Sequence, residues 1–168
     1  MITRQQDAVA GDVHVVTIDR HERRHALDPE HCTALRDALL ESLDEDARCI
    51  VIVGAGTTFC AGADLDVVYG DEFRDSLYSL LTTMTGATVP LIASVNGPAI
   101  GAGAQLAIAC DLRVAAPTAR FAIPTARNGL AVDPWTIRRL ALLAGGGPAR
   151  AILLGCETVD AQAAHSYG

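Results

Sequence analysis

The chain contains no lysine, so all 13 of its basic residues are arginine; against 20 acidic residues the formal net charge is −7. No face is rich enough in basic residues for nucleic-acid binding, which draws its affinity from several phosphate contacts. The five cysteines, Cys32, Cys49, Cys60, Cys110 and Cys156, are odd in number and include no C-x-x-C pair. A disulfide framework and a cysteine-zinc site are therefore not expected, and a reduced, cytoplasmic setting fits best. The opening residues Met1 to Asp7 carry no apolar signal-peptide core. No G-K-[ST] follows any glycine-rich turn, so a phosphate-cradling P-loop is missing. The stretch Val89 to Cys110 carries no formal charge but is interrupted by Asn96, Gln105 and a Pro-Gly cluster. A membrane span wants about 20 steadily apolar residues. The better reading is a buried strand, a tight turn and a buried helix.

What is present is a chain of 168 residues, 50% apolar and 20% charged. At about 150 residues per domain this is one domain, 1–168, able to bury a core without staples. Val13 to Asp19 alternates and is β-branched, which predicts a strand. Asp28 followed by Pro29 is a helix start, and Leu35, Leu39 and Leu43 give that helix an apolar stripe. Cys49 to Val53 is a continuous apolar run, expected to be a strand buried on both faces. Further helices are predicted over Asp71 to Thr85, from about Ala102, over Pro134 to Leu143, over Pro148 to Leu154 and after Asp160. Further strands are predicted at Leu91 to Val95, Leu112 to Ala115 and Phe121 to Ile123. Strand, turn and helix recur throughout, which argues α/β with largely parallel pairing.

Three local patterns point to chemistry. His21-Glu22-Arg23-Arg24-His25 matches H-E-x-x-H. The zinc chemistry of that pattern needs both histidines on one helical face, whereas here the helix starts only afterwards, at Asp28-Pro29. A solvent-exposed loop is the preferred reading, with the arginine pair as a landing site for a polyphosphate. Gly101-Ala102-Gly103 half-matches a dinucleotide fingerprint, but Leu106 stands where the third glycine belongs. Gly62-Ala63 and Gly101-Ala102-Gly103 each follow a strand and precede a helical start. Backbone N–H groups at such turns lack partners. Two of them converging would form an oxyanion hole. The alternative is two tight turns in which small residues only permit close packing.

Phe59-Cys60-Ala61-Gly62-Ala63-Asp64-Leu65 and Pro90 to Gly103 resemble the two signature segments of the crotonase (enoyl-CoA hydratase/isomerase) family. Arg24-His25-Ala26-Leu27 and Cys110-Asp111-Leu112-Arg113 fit as well, in family order. The resemblance implies a β-β-α spiral that binds an acyl-CoA thioester, with no cofactor or metal beyond the coenzyme A carried by the ligand. It implies oxyanion donors at the N–H groups of Ala63 and Ala102. It places Ala26, Leu27, Ala61, Gly62, Asp64, Leu65 and Gly101 around the coenzyme A and acyl group, and Arg23 and Arg24 near its phosphates. Family members are longer, with C-terminal helices that cover the pocket and build trimers or hexamers. The expectation here is a core without that helical part.

The departures from the family pattern bear on the chemistry. Its hydratases use two glutamates to place and activate water; at the matching positions this sequence has Gln105 and Thr125. Neither an amide nor an unactivated hydroxyl exchanges protons near neutral pH, and lost acid–base catalysis costs typically about 10²–10⁴-fold. One carboxylate stands nearby. Asp133 sits where the resemblance to chlorobenzoyl-CoA dehalogenases places a nucleophile, and Asp133-Pro134 is equally a helix N-cap pair. Trp135, the only tryptophan, is either packing or part of the acyl site. The leading expectation is a fatty acyl-CoA binding protein of lipid metabolism without ordinary hydratase activity. The alternative is an acyl-CoA isomerase, hydrolase or weak hydratase acting through Asp133.

Overall fold

A computed structural model describes all residues, Met1–Gly168. The first strand, β1 (Ile2–Gln6), pairs antiparallel with β2 (Val13–Ile18). Next come α1 (Pro29–Asp44), β3 (Cys49–Gly54), α2 (Asp71–Thr85) and β4 (Leu91–Val95). They are followed by β5 (Pro98–Ile100), α3 (Ala102–Ala109), β6 (Leu112–Ala115) and β7 (Arg120–Ala122). The chain finishes with α4 (Pro134–Ala144), α5 (Gly146–Leu153), β8 (Val159–Asp160) and α6 (Ala161–Tyr167). One sheet has the order β1-β2-β3-β4-β6, in which β2, β3, β4 and β6 run parallel. A second, smaller sheet has the order β5-β7-β8. The fold is mixed α/β with mostly parallel pairing, as the strand–helix alternation implied.

The start of α1 follows its sequence signal: Asp28 accepts from the His31 N–H at 2.9 Å and Pro29 occupies the first helical position. Leu35 and Leu39 face the core with Phe73, Leu77, Leu80 and Leu81 of α2 and with Ile50 and Ile52 of β3. Together they make one contiguous cluster of buried apolar side chains. A smaller cluster joins Ala104 and Ile108 of α3 to Leu140, Ala149, Ile152 and Val159.

Three sequence expectations need correction. The third strand is sealed on one face only: Ile50 and Ile52 are fully buried, but Cys49, Val51 and Val53 are half-buried. Both α1 and α2 pack on the Ile50 side, so only that side is closed. The loop His21 to His25 is not wholly exposed. It contains a 3-10 turn over His21–Arg23, and His25 is buried. Its Nδ1 accepts from the Arg20 N–H at 3.0 Å and its Nε2 faces the Ala55 carbonyl at 2.7 Å, so both ring nitrogens are held by backbone. Finally, Pro98–Ile100 belongs to a short strand rather than to the glycine turn.

Candidate functional site

The two glycine turns meet because the ends of β3 and β4 are tied together. Asn96, just past β4, donates through Nδ2 to the Gly54 carbonyl at 2.8 Å and the Gly56 carbonyl at 2.6 Å. Phe59 and Cys60 both donate their N–H groups to the Pro98 carbonyl at 3.1 Å, and Ile100 returns a bond to the Cys60 carbonyl at 2.9 Å. Gly103, in the first turn of α3, packs so closely on Cys60 that any side chain there would overlap the Cys60 carbonyl. The residues after these contacts, Gly62 and Gly101, both have positive φ, +108° and +54°. A Cβ on Gly62 would lie 2.8 Å from the Ile100 carbonyl oxygen and 3.7 Å from the Ala102 nitrogen. The turns are therefore in direct contact.

The N–H groups of Ala63 and Ala102, and that of Gly62 beside the first, make no hydrogen bond within the chain, while those of Asp64 and Gly101 do. The Asp64 N–H bonds the Leu27 carbonyl at 2.7 Å, and the Gly101 N–H bonds the Ala122 carbonyl at 2.8 Å. Ala102 is the first residue of α3, where the N–H has no intrahelical partner. Both residues line one cleft, of about 330 Å³. The same cleft is lined by Ala61, Gly62, Leu65, Gly101, Gln105, Thr125 and Asp133, nine sequence-singled residues in all. Apolar side chains of α2 and the 130–132 segment complete it: Phe73, Leu77, Leu130 and Val132. Tyr78 also faces it; burial, with the nearby Asp133 charge, pushes its phenol above the ordinary range and keeps it a neutral hydroxyl.

Asp133 caps α4, its Oδ1 accepting from the Thr136 N–H at 2.9 Å. Its Oδ2 accepts from the Thr136 hydroxyl at 2.5 Å and from Gln105 Nε2 at 2.9 Å. The N-cap and the cleft-wall placements thus hold for the same residue. Thr136, which sequence reasoning missed, also receives Gln105 Nε2 at 2.7 Å and is completely buried. Its only sequence signal is its place three residues after an N-cap.

The remaining singled-out residues lie beside the cleft rather than in it. Arg24, Ala26 and Leu27 run alongside 61–64, bonded through Ala61 N–H to the Arg24 carbonyl at 3.0 Å and Leu27 N–H to the Gly62 carbonyl at 2.7 Å. Ala26 and Leu27 are buried, so they support the wall from behind. Asp64 is buried and ion-paired to Arg20 at 3.0 Å; Arg20 also reaches Asp28 at 3.2 Å. That internal pair, another feature missed in the sequence, ties α1 to the first glycine turn. Arg23 lies 3.8 Å from Asp64 and 3.4 Å from Asp66, whereas Arg24 is exposed with no polar partner. Trp135 lines an adjoining groove with Leu81, Thr82 and Arg138. A larger, more apolar cavity of about 400 Å³ sits between α3, α4, α5 and α6. It includes neither Ala63 nor Ala102. No helix is long and apolar enough to cross a membrane.

Residues 8–168 match the family model described as enoyl-CoA hydratase/isomerase. The "probable enoyl-CoA hydratase echA6" of Mycobacterium tuberculosis is 46% identical over 154 residues, covering 91% of this chain and 63% of that protein. The "probable enoyl-CoA hydratase echA14" of the same species is 36% identical over 166 residues, covering 94% of this chain and 65% of its own length. The chain thus spans less than two thirds of these curated relatives. Among solved structures, an enoyl-CoA hydratase from Polaromonas sp. JS666 superposes with a TM-score of 0.89 at 32% identity, over 99% of this chain and 68% of that one.

Proposed function

The chain belongs to the enoyl-CoA hydratase/isomerase family, and on that premise we propose that it binds fatty acyl-CoA thioesters at the paired glycine turns without carrying out ordinary hydration. The observation that supports this reading is the pair of unbonded N–H groups, Ala63 and Ala102, on adjoining turns of one cleft. A thioester carbonyl oxygen takes both hydrogen bonds, each contributing on the order of 1 kcal/mol to binding. The acyl chain lies against Phe73, Leu77, Leu130 and Val132. Arg24, exposed and without a partner beside Ala61, is the group available to the coenzyme A phosphates.

Hydration needs a group that delivers and a group that removes a proton. Gln105 and Thr125 both line the cleft, and neither does so near neutral pH. The role that remains is holding an acyl thioester, as a carrier, sensor or delivery module in fatty acyl metabolism. Calorimetric titration with acyl-CoA, beside an enoyl-CoA absorbance assay at high protein concentration, tests the reading. Binding without turnover is expected; absence of any binding contradicts it.

The presence of Asp133 on the cleft wall favours a second reading, in which this carboxylate acts in isomerisation or hydrolysis. The three hydrogen bonds its oxygens already accept weigh against a free base or nucleophile. Undiminished turnover in a folded Asp133→Asn variant removes this reading.

A further inference from the structure

The chain has only two asparagines, Asn96 and Asn128, and a glycine follows each. Asparagine before glycine is open to an intramolecular reaction, because glycine has no Cβ to keep the asparagine Cγ from the next backbone nitrogen. The fold treats the two pairs oppositely. Asn96 Nδ2 is held by the Gly54 carbonyl at 2.8 Å and the Gly56 carbonyl at 2.6 Å, and its Oδ1 is sealed from solvent. Gly97 is packed so tightly that a Cβ there would overlap the Thr57 carbonyl oxygen. Neither group is free to approach the other. Asn128, by contrast, is exposed, its side chain makes no hydrogen bond, and it ends a 3-10 turn, Pro124–Asn128. Gly129 has φ +67°, nothing within 4 Å of its Cβ position, and an N–H that reaches the Ala126 carbonyl only at 3.3 Å. The bond that closes this last turn is therefore weak, and the turn can open locally. Asn128 also lines the cleft of Ala63 and Ala102, together with Thr125, Leu130 and Asp133.

We propose that Asn128-Gly129 is a site of spontaneous deamidation, that Asn96-Gly97 is protected from it, and that the modification places a new carboxylate in the cleft. The Gly129 nitrogen gives up its proton and bonds to Asn128 Cγ. The Cγ–Nδ2 bond breaks, and Nδ2 leaves with that proton as ammonia. The product is a cyclic succinimide, which water opens at either of its carbonyl carbons. Breaking the bond from Cγ to the Gly129 nitrogen gives aspartate. Breaking the bond from the Asn128 carbonyl carbon gives isoaspartate, in which the backbone runs through Cγ. Nothing is oxidised or reduced; the chain takes up water and releases ammonia. Either product adds a negative charge to the cleft that already holds Asp133. Isoaspartate also lengthens the backbone of the segment leading into α4. Coenzyme A is itself anionic, so, on the reading of this cleft as the thioester site, the modified chain binds acyl-CoA more weakly.

The test incubates the full chain in warm, mildly alkaline buffer, folded and in urea, and maps both asparagines by mass spectrometry of proteolytic peptides. In the folded chain the Asn128 peptide is expected to gain the mass difference between NH₂ and OH, as aspartate and isoaspartate, while the Asn96 peptide stays unchanged. In urea both convert. An Asn128 amide retained in the folded chain, over a time in which the chain in urea converts, overturns the proposal. Equal conversion of the two sites in the folded chain also overturns it. Acyl-CoA titration of the same samples reads the consequence. Affinity is expected to fall several-fold as conversion proceeds, and to be several-fold lower in fresh Asn128→Asp than in fresh wild type. In Asn128→Gln, whose longer side chain would have to close a larger ring, affinity is expected not to drift with incubation. Converted wild type and fresh Asn128→Asp that both bind as tightly as fresh wild type overturn the effect on the cleft. If fresh wild type binds no acyl-CoA, the thioester reading fails and the effect on binding with it, while the peptide masses still decide the modification.

Discussion

At the scale of single residues, the candidate site depends on close backbone approach more than on reactive side chains. Gly103 packs against the Cys60 backbone, with no space for a Cβ. Gly103→Ala is expected to cost about 3 kcal/mol in urea unfolding, at the upper end for overpacking because the obstacle is backbone. Gly147 in α5 has open space around its Cβ position. Gly147→Ala, measured in parallel, is expected to be neutral or to gain up to about 1 kcal/mol. Asp64 offers a second check. It is buried against Arg20, so Asp64→Asn removes the closest of that guanidinium's carboxylate partners, leaving Asp28 at 3.2 Å and the exposed Glu22 at 3.9 Å, and is expected to cost about 3 kcal/mol. An unchanged unfolding midpoint would show that the pair does not tie α1 to the turn. The glycines and small residues of this site could be read in the sequence because their motif is local. The Gln105–Asp133–Thr136 network could not, because its members are 28 and 31 residues apart and come together only when α4 docks on α3.

At the scale of elements, α1, α4 and α6 were legible from the aspartate that caps each, and α2 without a capping side chain. Both α1 and α2 begin as the sequence predicts, and Asp133 and Asp160 cap α4 and α6. The strands were legible only where they were apolar. Thr3-Arg4-Gln5-Gln6 of β1 is too polar to read as a strand, and its state is decided by pairing with β2. The α1 cap makes a pH-dependent prediction. Burial works against the Asp28 charge, but the His31 N–H and ring, with the His31 and Arg20 charges, outweigh it and hold the carboxyl below its ordinary range. A lowered folded-state value means stability that is present above the unfolded value, near 3.9, and is lost as pH falls through the folded one. Asp28→Asn keeps a capping side chain and removes the charge. Wild type is therefore expected to exceed it in stability at pH 7, with the gap closing as pH drops below about 4. A gap that is constant with pH would mean the charge contributes nothing.

At the scale of the whole molecule, the core hides most of its thiol chemistry while the cleft stays open. All five cysteines are free, and burial pushes Cys32, Cys60 and Cys110 up to about 12. A thiol reagent at pH 8 is expected to reach the half-buried Cys49 first and those three only after denaturant is added. Reaction of all thiols in the native state would show that the two halves of the core open readily. The cleft itself gathers residues from the turn after β3, the start of α3 and the segment before α4, so it exists only when the whole fold is assembled.

In the proposed function, an acyl thioester oxygen rests on the N–H groups of Ala63 and Ala102. Ala102 is the first residue of α3, a position where proline is well tolerated, and Gly101 before it is free of the usual pre-proline restriction. Ala102→Pro therefore deletes one donor and keeps the helix. The decisive measurement is calorimetric binding of an acyl-CoA and of its alkyl thioether analogue, which lacks the carbonyl, to wild type and to Ala102→Pro. The expected result is an acyl-CoA preference of about tenfold or more in the wild type that falls several-fold in the variant. Equal affinity for thioester and thioether in the wild type, or an undiminished preference in folded Ala102→Pro, would contradict the account.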